Sequence, residues 1–81
     1  MDKETELYFR NFTELFRSEG WKQFTDEVKA NVVLVNNIEL TKDEQDLFFR
    51  KGQLAVMDNI LNLETQVDAS REQADENVED I

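Results

Sequence analysis

Residues 41–67 read TKDEQDLFFRKGQLAVMDNILNLETQV, and this stretch decides the fold class. It contains no proline and a single glycine, Gly52, in a run rich in Leu, Glu, Gln and Lys, a composition that favours helix. Its start carries a helix signature. Thr41 and Glu44 are spaced as a capping box, in which Thr41 accepts from the amide three residues on and Glu44 reaches back to the amide of Thr41. Asp43, Glu44 and Asp46 place negative charge at the positive end of the helix dipole. The apolar residues that follow do not keep to one stripe. One face carries Phe49, Val56, Ile60, Leu63 and Val67; a second carries Leu47, Leu54, Met57 and Leu61; a third carries Phe48 and Ala55, with Leu63 at its edge. Each such stripe needs a surface to bury it. An 81-residue chain has little left to cover all three, which predicts a second copy or a partner.

Working back from Thr41, Asn36-Asn37 is a turn signal, because asparagine tolerates left-handed backbone angles and bonds its own backbone. Ile38 and Leu40 follow and are expected to plug the end of the helical pair. Before the turn, Trp21, Phe24, Val28, Val32 and Val35 step by three or four residues, which predicts an amphipathic helix over residues 21–35. Its end, Val32-Val33-Leu34-Val35, is also compatible with a strand, but no other stretch offers a partner strand of similar strength. Ser18-Glu19-Gly20 interrupts the pattern: Ser18 is a candidate cap, and Gly20 costs about 1 kcal/mol in a helix interior relative to alanine. A break is expected there, with a continuous helix as the alternative. The first segment, Lys3–Arg17, gathers Tyr8, Phe9, Phe12, Leu15 and Phe16 on one face. The expected fold is all-α, an antiparallel helical hairpin or three-helix unit in which residues 21–35 pack against 47–67. Residues 1–67 form the helical domain. Residues 68–81 carry six acids against Arg71 alone and are expected to be an acidic tail that frays or is disordered when free.

Composition narrows the chemistry. There are no cysteines and no histidines, which removes disulfides, thiolate metal sites and the commonest general base. Isolated glycines at 20 and 52 form no phosphate-cradling loop, and the acids lack calcium-loop spacing. No catalytic residues, cofactor, metal or small-molecule substrate are expected. No apolar run exceeds four residues, so no membrane span is expected, and the acidic start Met1–Glu6 is unlike a signal peptide. Nineteen acids against nine bases give a net charge of −10, which disfavours direct binding to a nucleic-acid backbone. What remains is protein–protein contact. The candidate interface residues are Phe9, Phe12, Phe16 and Trp21 from the first half, and Phe48, Phe49, Arg50, Gly52, Val56, Ile60 and Leu63 from the second. Within Phe48-Phe49-Arg50-Lys51-Gly52-Gln53, Phe49 reads as an anchor and Gly52 as a gap admitting another helix. Arg50 has two further readings: a surface pair with Asp46 or Glu44, and a cation–π contact with Phe49 or Trp21.

Two segments carry a resemblance. Ser18-Glu19-Gly20-Trp21-Lys22-Gln23-Phe24, followed by Asp46-Leu47-Phe48-Phe49-Arg50-Lys51-Gly52-Gln53-Leu54, resembles small helical proteins of tailed bacteriophages, over about residues 15–64. The resemblance implies a helical hairpin and a minor virion or assembly component, found in the host cytoplasm or in the particle. It says nothing of the acidic tail. The expected function is a non-enzymatic assembly or adaptor protein that oligomerises or docks on a larger protein. The alternative is an acidic DNA mimic that occupies the basic cleft of a host nucleic-acid enzyme. A DNA-packaging accessory protein is a third reading, which the charge balance disfavours.

Overall fold

The computed structural model describes residues 2–79, and the side chains of residues 2–76. All regular structure among them is helical: α1 (Lys3–Arg17), α2 (Glu19–Val35), α3 (Glu44–Leu61) and α4 (Leu63–Glu79). The all-α expectation therefore holds, and Val32–Val35 is helix. The chain divides into two compact units. Among the described residues, one comprises 2–22 and 62–79; the other comprises 23–61.

The first unit is built from α1, the start of α2, and α4. Asp2 caps α1, its Oδ1 accepting from the Thr5 N–H at 2.7 Å. That donated hydrogen bond holds the Asp2 carboxyl below its ordinary range. α1 ends at Ser18, where the expected break occurs. The Ser18 N–H and Oγ–H both donate to the Leu15 carbonyl, while Ser18 Oγ accepts from the Trp21 N–H at 3.1 Å. One side chain thus closes α1 and caps α2. Ser18→Ala is expected to lower stability by about 1 kcal/mol. Thermal unfolding should read this as a fall in midpoint of roughly 4–8 °C; an unchanged midpoint would show that the cap contributes nothing.

α4 lies against α1 in antiparallel sense. Phe16 and Arg17 share a small recess with Glu64 and Asp68, while Phe9 lies against Arg71. Arg71 Nη2 donates to the Phe9 carbonyl at 3.0 Å and to Thr13 Oγ1 at 2.8 Å, and the guanidinium sits 5.3 Å from the Phe9 ring centre. Residues 68–79 are therefore helical, where sequence reasoning places a loose tail from residue 68 onward. The reason is a contact distant in sequence. Arg71, the lone cation of that segment, reaches α1, and Val67, one turn earlier, is buried. Residues 80 and 81 lie outside the described residues. The expected single helix through residue 67 is likewise interrupted, at Asn62, whose carbonyl accepts the first α4 hydrogen bond from the Gln66 N–H at 3.0 Å. Asparagine is among the preferred helix-starting residues.

The second unit holds most of α2, the connection, and α3. Val28 is its buried residue, with Thr25, Val32 and Val35 half-buried on the same face of α2. The connection uses Asn37 as an Asx turn, its Oδ1 accepting from the Glu39 N–H (3.0 Å) and Leu40 N–H (3.3 Å). No described non-glycine residue adopts positive φ, so the left-handed option for asparagine is not used. The helix start lies two residues later than the Thr41 box. Thr41 Oγ1 instead donates to the Asn37 carbonyl at 2.9 Å, closing the turn. Asp43 takes the cap, its Oδ1 accepting from the Asp46 N–H at 2.8 Å, and Asp46 Oδ2 accepts from the Lys42 N–H at 3.0 Å. Two short carboxylates supply what the Thr–Glu pair was expected to supply. The expected plug is also absent: Ile38 is 86% exposed, and Leu40 is exposed as well. Nor do residues 21–35 lie closely along 47–67. Among the described residues, α1 and α4 are the helices whose backbones approach each other.

Candidate protein-docking surface

α3 has no buried residue. Leu54, Met57, Ile60 and Leu61 are half-buried along one side, together with Arg50 and Gln53. The opposite side is apolar too, and open. Phe48 is 59% exposed, Phe49 65% and Val56 59%, with Gly52 and Ala55 exposed between them. At roughly 100° of turn per residue these five occupy one continuous arc. A contiguous apolar arc of this kind on a helix exterior is the feature that marks an interaction site rather than scattered surface hydrophobics. A Cβ built on Gly52 meets nothing within 4 Å, so this chain supplies no helix to the gap that Gly52 offers.

Arg50 is half-buried and its polar contacts lie within this unit, away from the open arc. Its Nε pairs with Asp46 Oδ2 at 3.1 Å, its Nη1 donates to the Val35 carbonyl at 2.9 Å, and its Nη2 donates to the Leu40 carbonyl at 3.3 Å. The pair with Asp46 is one of the readings the sequence offers. The two carbonyl contacts go beyond it. The carbonyls at a helix end attract cations, and Arg50 reaches the last one of α2 across the turn, where the Asn37 N–H also donates at 2.9 Å. The Asp46 carboxyl is held below its ordinary range, chiefly by the hydrogen bond from the Lys42 backbone and next by the Arg50 guanidinium. The cation–π contacts also differ from those expected for Arg50. Lys51 Nζ lies 5.8 Å from the Phe48 ring centre, and Arg71 lies over Phe9.

The other sequence-derived candidates divide by exposure. Phe9 is 5% exposed and serves the packing of α1 on α4. Phe12, Phe16, Trp21, Ile60 and Leu63 are half-buried. Rings run along the first unit as a ladder: Tyr8 edge-on to Phe9 (5.3 Å) and Phe12 (5.0 Å), Phe12 to Phe16 (5.7 Å), and Phe16 to Trp21 (5.3 Å). Of these candidates, then, the open group is Phe48, Phe49, Gly52 and Val56, all on α3. Sequence reasoning leaves out Ile38 and Leu47, which line an open apolar hollow of about 380 Å³ at the turn with Thr41 and Lys42. Their signal was present: a large apolar residue in a short polar connection, and another in the first turn of a helix.

Among the described residues no cluster of three or more acidic, His or Cys side chains could hold a metal ion, and no helix is long and apolar enough to cross a membrane. No protein-family model, curated protein or solved structure matches the chain.

Proposed function

We propose that this chain is a non-enzymatic assembly or adaptor protein that works by burying the outer face of α3 against another protein surface. The observation that carries this is the open arc of Phe48, Phe49, Gly52, Ala55 and Val56 on a helix whose other side already serves its own unit. Exposing two phenylalanines and a valine on one face costs solubility with no return in folding. Burying each recovers roughly 1.5–3 kcal/mol before ordering costs. The finer architecture we propose is an open helical hairpin of α2 and α3, tied at the turn rather than packed along its length, supported by the Arg50 link between the end of α2 and α3. The setting we propose is a tailed-phage particle or its assembly pathway, on the resemblance of residues 18–24 and 46–54 to small proteins of such phages.

The test is incorporation. Particles or assembly intermediates purified from an infected culture should contain the chain. Those made with Phe49→Asp/Val56→Asp should lack it, while the variant protein keeps its helical circular dichroism. Undiminished retention of the variant would overturn the docking reading. Ile60→Asp is a poor probe, because Ile60 is half-buried and a charge there disturbs the fold. A DNA mimic would behave differently: its binding would survive the apolar substitutions and fall steeply with salt.

A further inference from the structure

We infer that the occupant of the outer α3 face is the same face of a second copy, crossed antiparallel about Phe48. This rests on the reading of that face as a docking surface, and adds the partner. Phe48 lies towards one side of the open arc, with Ala55 and Gly52 beside it and Val56 and Phe49 at the far edge. Beside it on one rim stand Glu44 and Lys51, four residues before and three after. Both are exposed, and neither has an ion-pair partner among the described residues. A two-fold axis beside Phe48 brings each rim against its own copy in reverse. Residue 44 of one chain then stands opposite residue 52 of the other, one position from Lys51. The contact is thus self-complementary: Phe48 on Phe48 at the centre, and two symmetry-related Glu44–Lys51 pairs on the rim.

The area fits a weak dimer. With about 200 Å² for a phenylalanine side chain, the observed exposures leave roughly 120 Å² on each of Phe48 and Phe49. Adding Ala55, Val56 and the two rim side chains, two copies together stay somewhat below the roughly 1,200 Å² at which standard interfaces begin, the range of weak association. A net charge of −10 on each copy opposes the encounter, so salt should favour it by screening that repulsion while leaving apolar burial intact. This is the reverse of the behaviour of a basic partner or a basic cleft.

Sedimentation equilibrium of the full chain at low and high sodium chloride tests the inference. The expected result is a monomer–dimer equilibrium with a dissociation constant of about 10–100 µM, tighter in high salt and abolished by Phe48→Asp. Glu44→Lys and Lys51→Glu should each weaken the dimer about tenfold, since each change strikes two symmetric pairs. The double variant Glu44→Lys/Lys51→Glu should restore it; because it carries the same altered helix start, restoration separates pairing from folding. A chain that stays monomeric at high concentration in high salt overturns the second-copy inference. So does a dimer indifferent to Phe48→Asp, or a double variant no better than the single ones. The docking reading fails separately, on retention of Phe49→Asp/Val56→Asp in particles.

Discussion

Phe9→Ala is expected to lower the unfolding free energy by about 3–5 kcal/mol, the usual loss for a buried phenylalanine. A chain of this length has roughly 4–12 kcal/mol in total, so the variant should be partly or wholly unfolded at physiological temperature. The size of the effect follows from position. Phe9 is one of three buried residues among those described, and it is the contact point for both Tyr8 and Arg71. Its removal takes away the ring against which Arg71 rests and leaves a cavity between α1 and α4. Denaturant unfolding followed by circular dichroism measures this directly, with Phe49→Ala as the matched control. The same chemical change at Phe49, 65% exposed, should alter stability by less than about 1 kcal/mol. Equal losses at the two sites would contradict the division between packed and open aromatics.

Arg50→Met should have the next largest effect, a loss of about 2 kcal/mol. Methionine keeps the apolar stem but removes the donors to the Val35 and Leu40 carbonyls. The Val35 carbonyl keeps the Asn37 N–H at 2.9 Å but loses its tie to α3, and the Leu40 carbonyl loses the guanidinium, so the helix end and the turn loosen together. Hydrogen exchange should place the change in residues 32–41 and the first turn of α3, with α1 and α4 unaffected. Arg50→Lys should not restore protection, because a single ammonium cannot span Asp46 and two separate carbonyls. A substitution that leaves exchange in the turn unchanged would show that the guanidinium is a bystander.

The helices were readable because their evidence is local. Trp21, Val28, Val32 and Val35 repeat at helical spacing, and Ser18 is a capping residue beside a glycine, so both α2 and the break before it follow from adjacent residues. The start of α3 was misplaced by two residues because several acids and a threonine competed for one cap. The choice was made by the Asn37 turn, which engages Thr41 from outside the helix. The fate of residues 68–79 was not legible. Helicity there depends on Arg71 reaching Phe9 and Thr13, some sixty positions earlier in the chain, and no periodicity reports such a contact. Arg50 shows the same limit at shorter range. The sequence places it beside Phe49 and offers Asp46 as its pair, but the carbonyls it also holds are backbone groups, which carry no residue signature. The excess of apolar faces on the segment after Thr41 was legible. Which face stays open was not, since that depends on how the second unit folds.

The most direct test of that openness is the thermal unfolding of Phe49→Asp/Val56→Asp at low micromolar concentration, where association contributes little. If the outer face of α3 lies in solvent in the single chain, two buried-charge penalties are avoided and the midpoint stays within about 4 °C of the parent. A fall of more than about 10 °C would mean that the chain covers this face itself, and the surface on which assembly is argued would not exist.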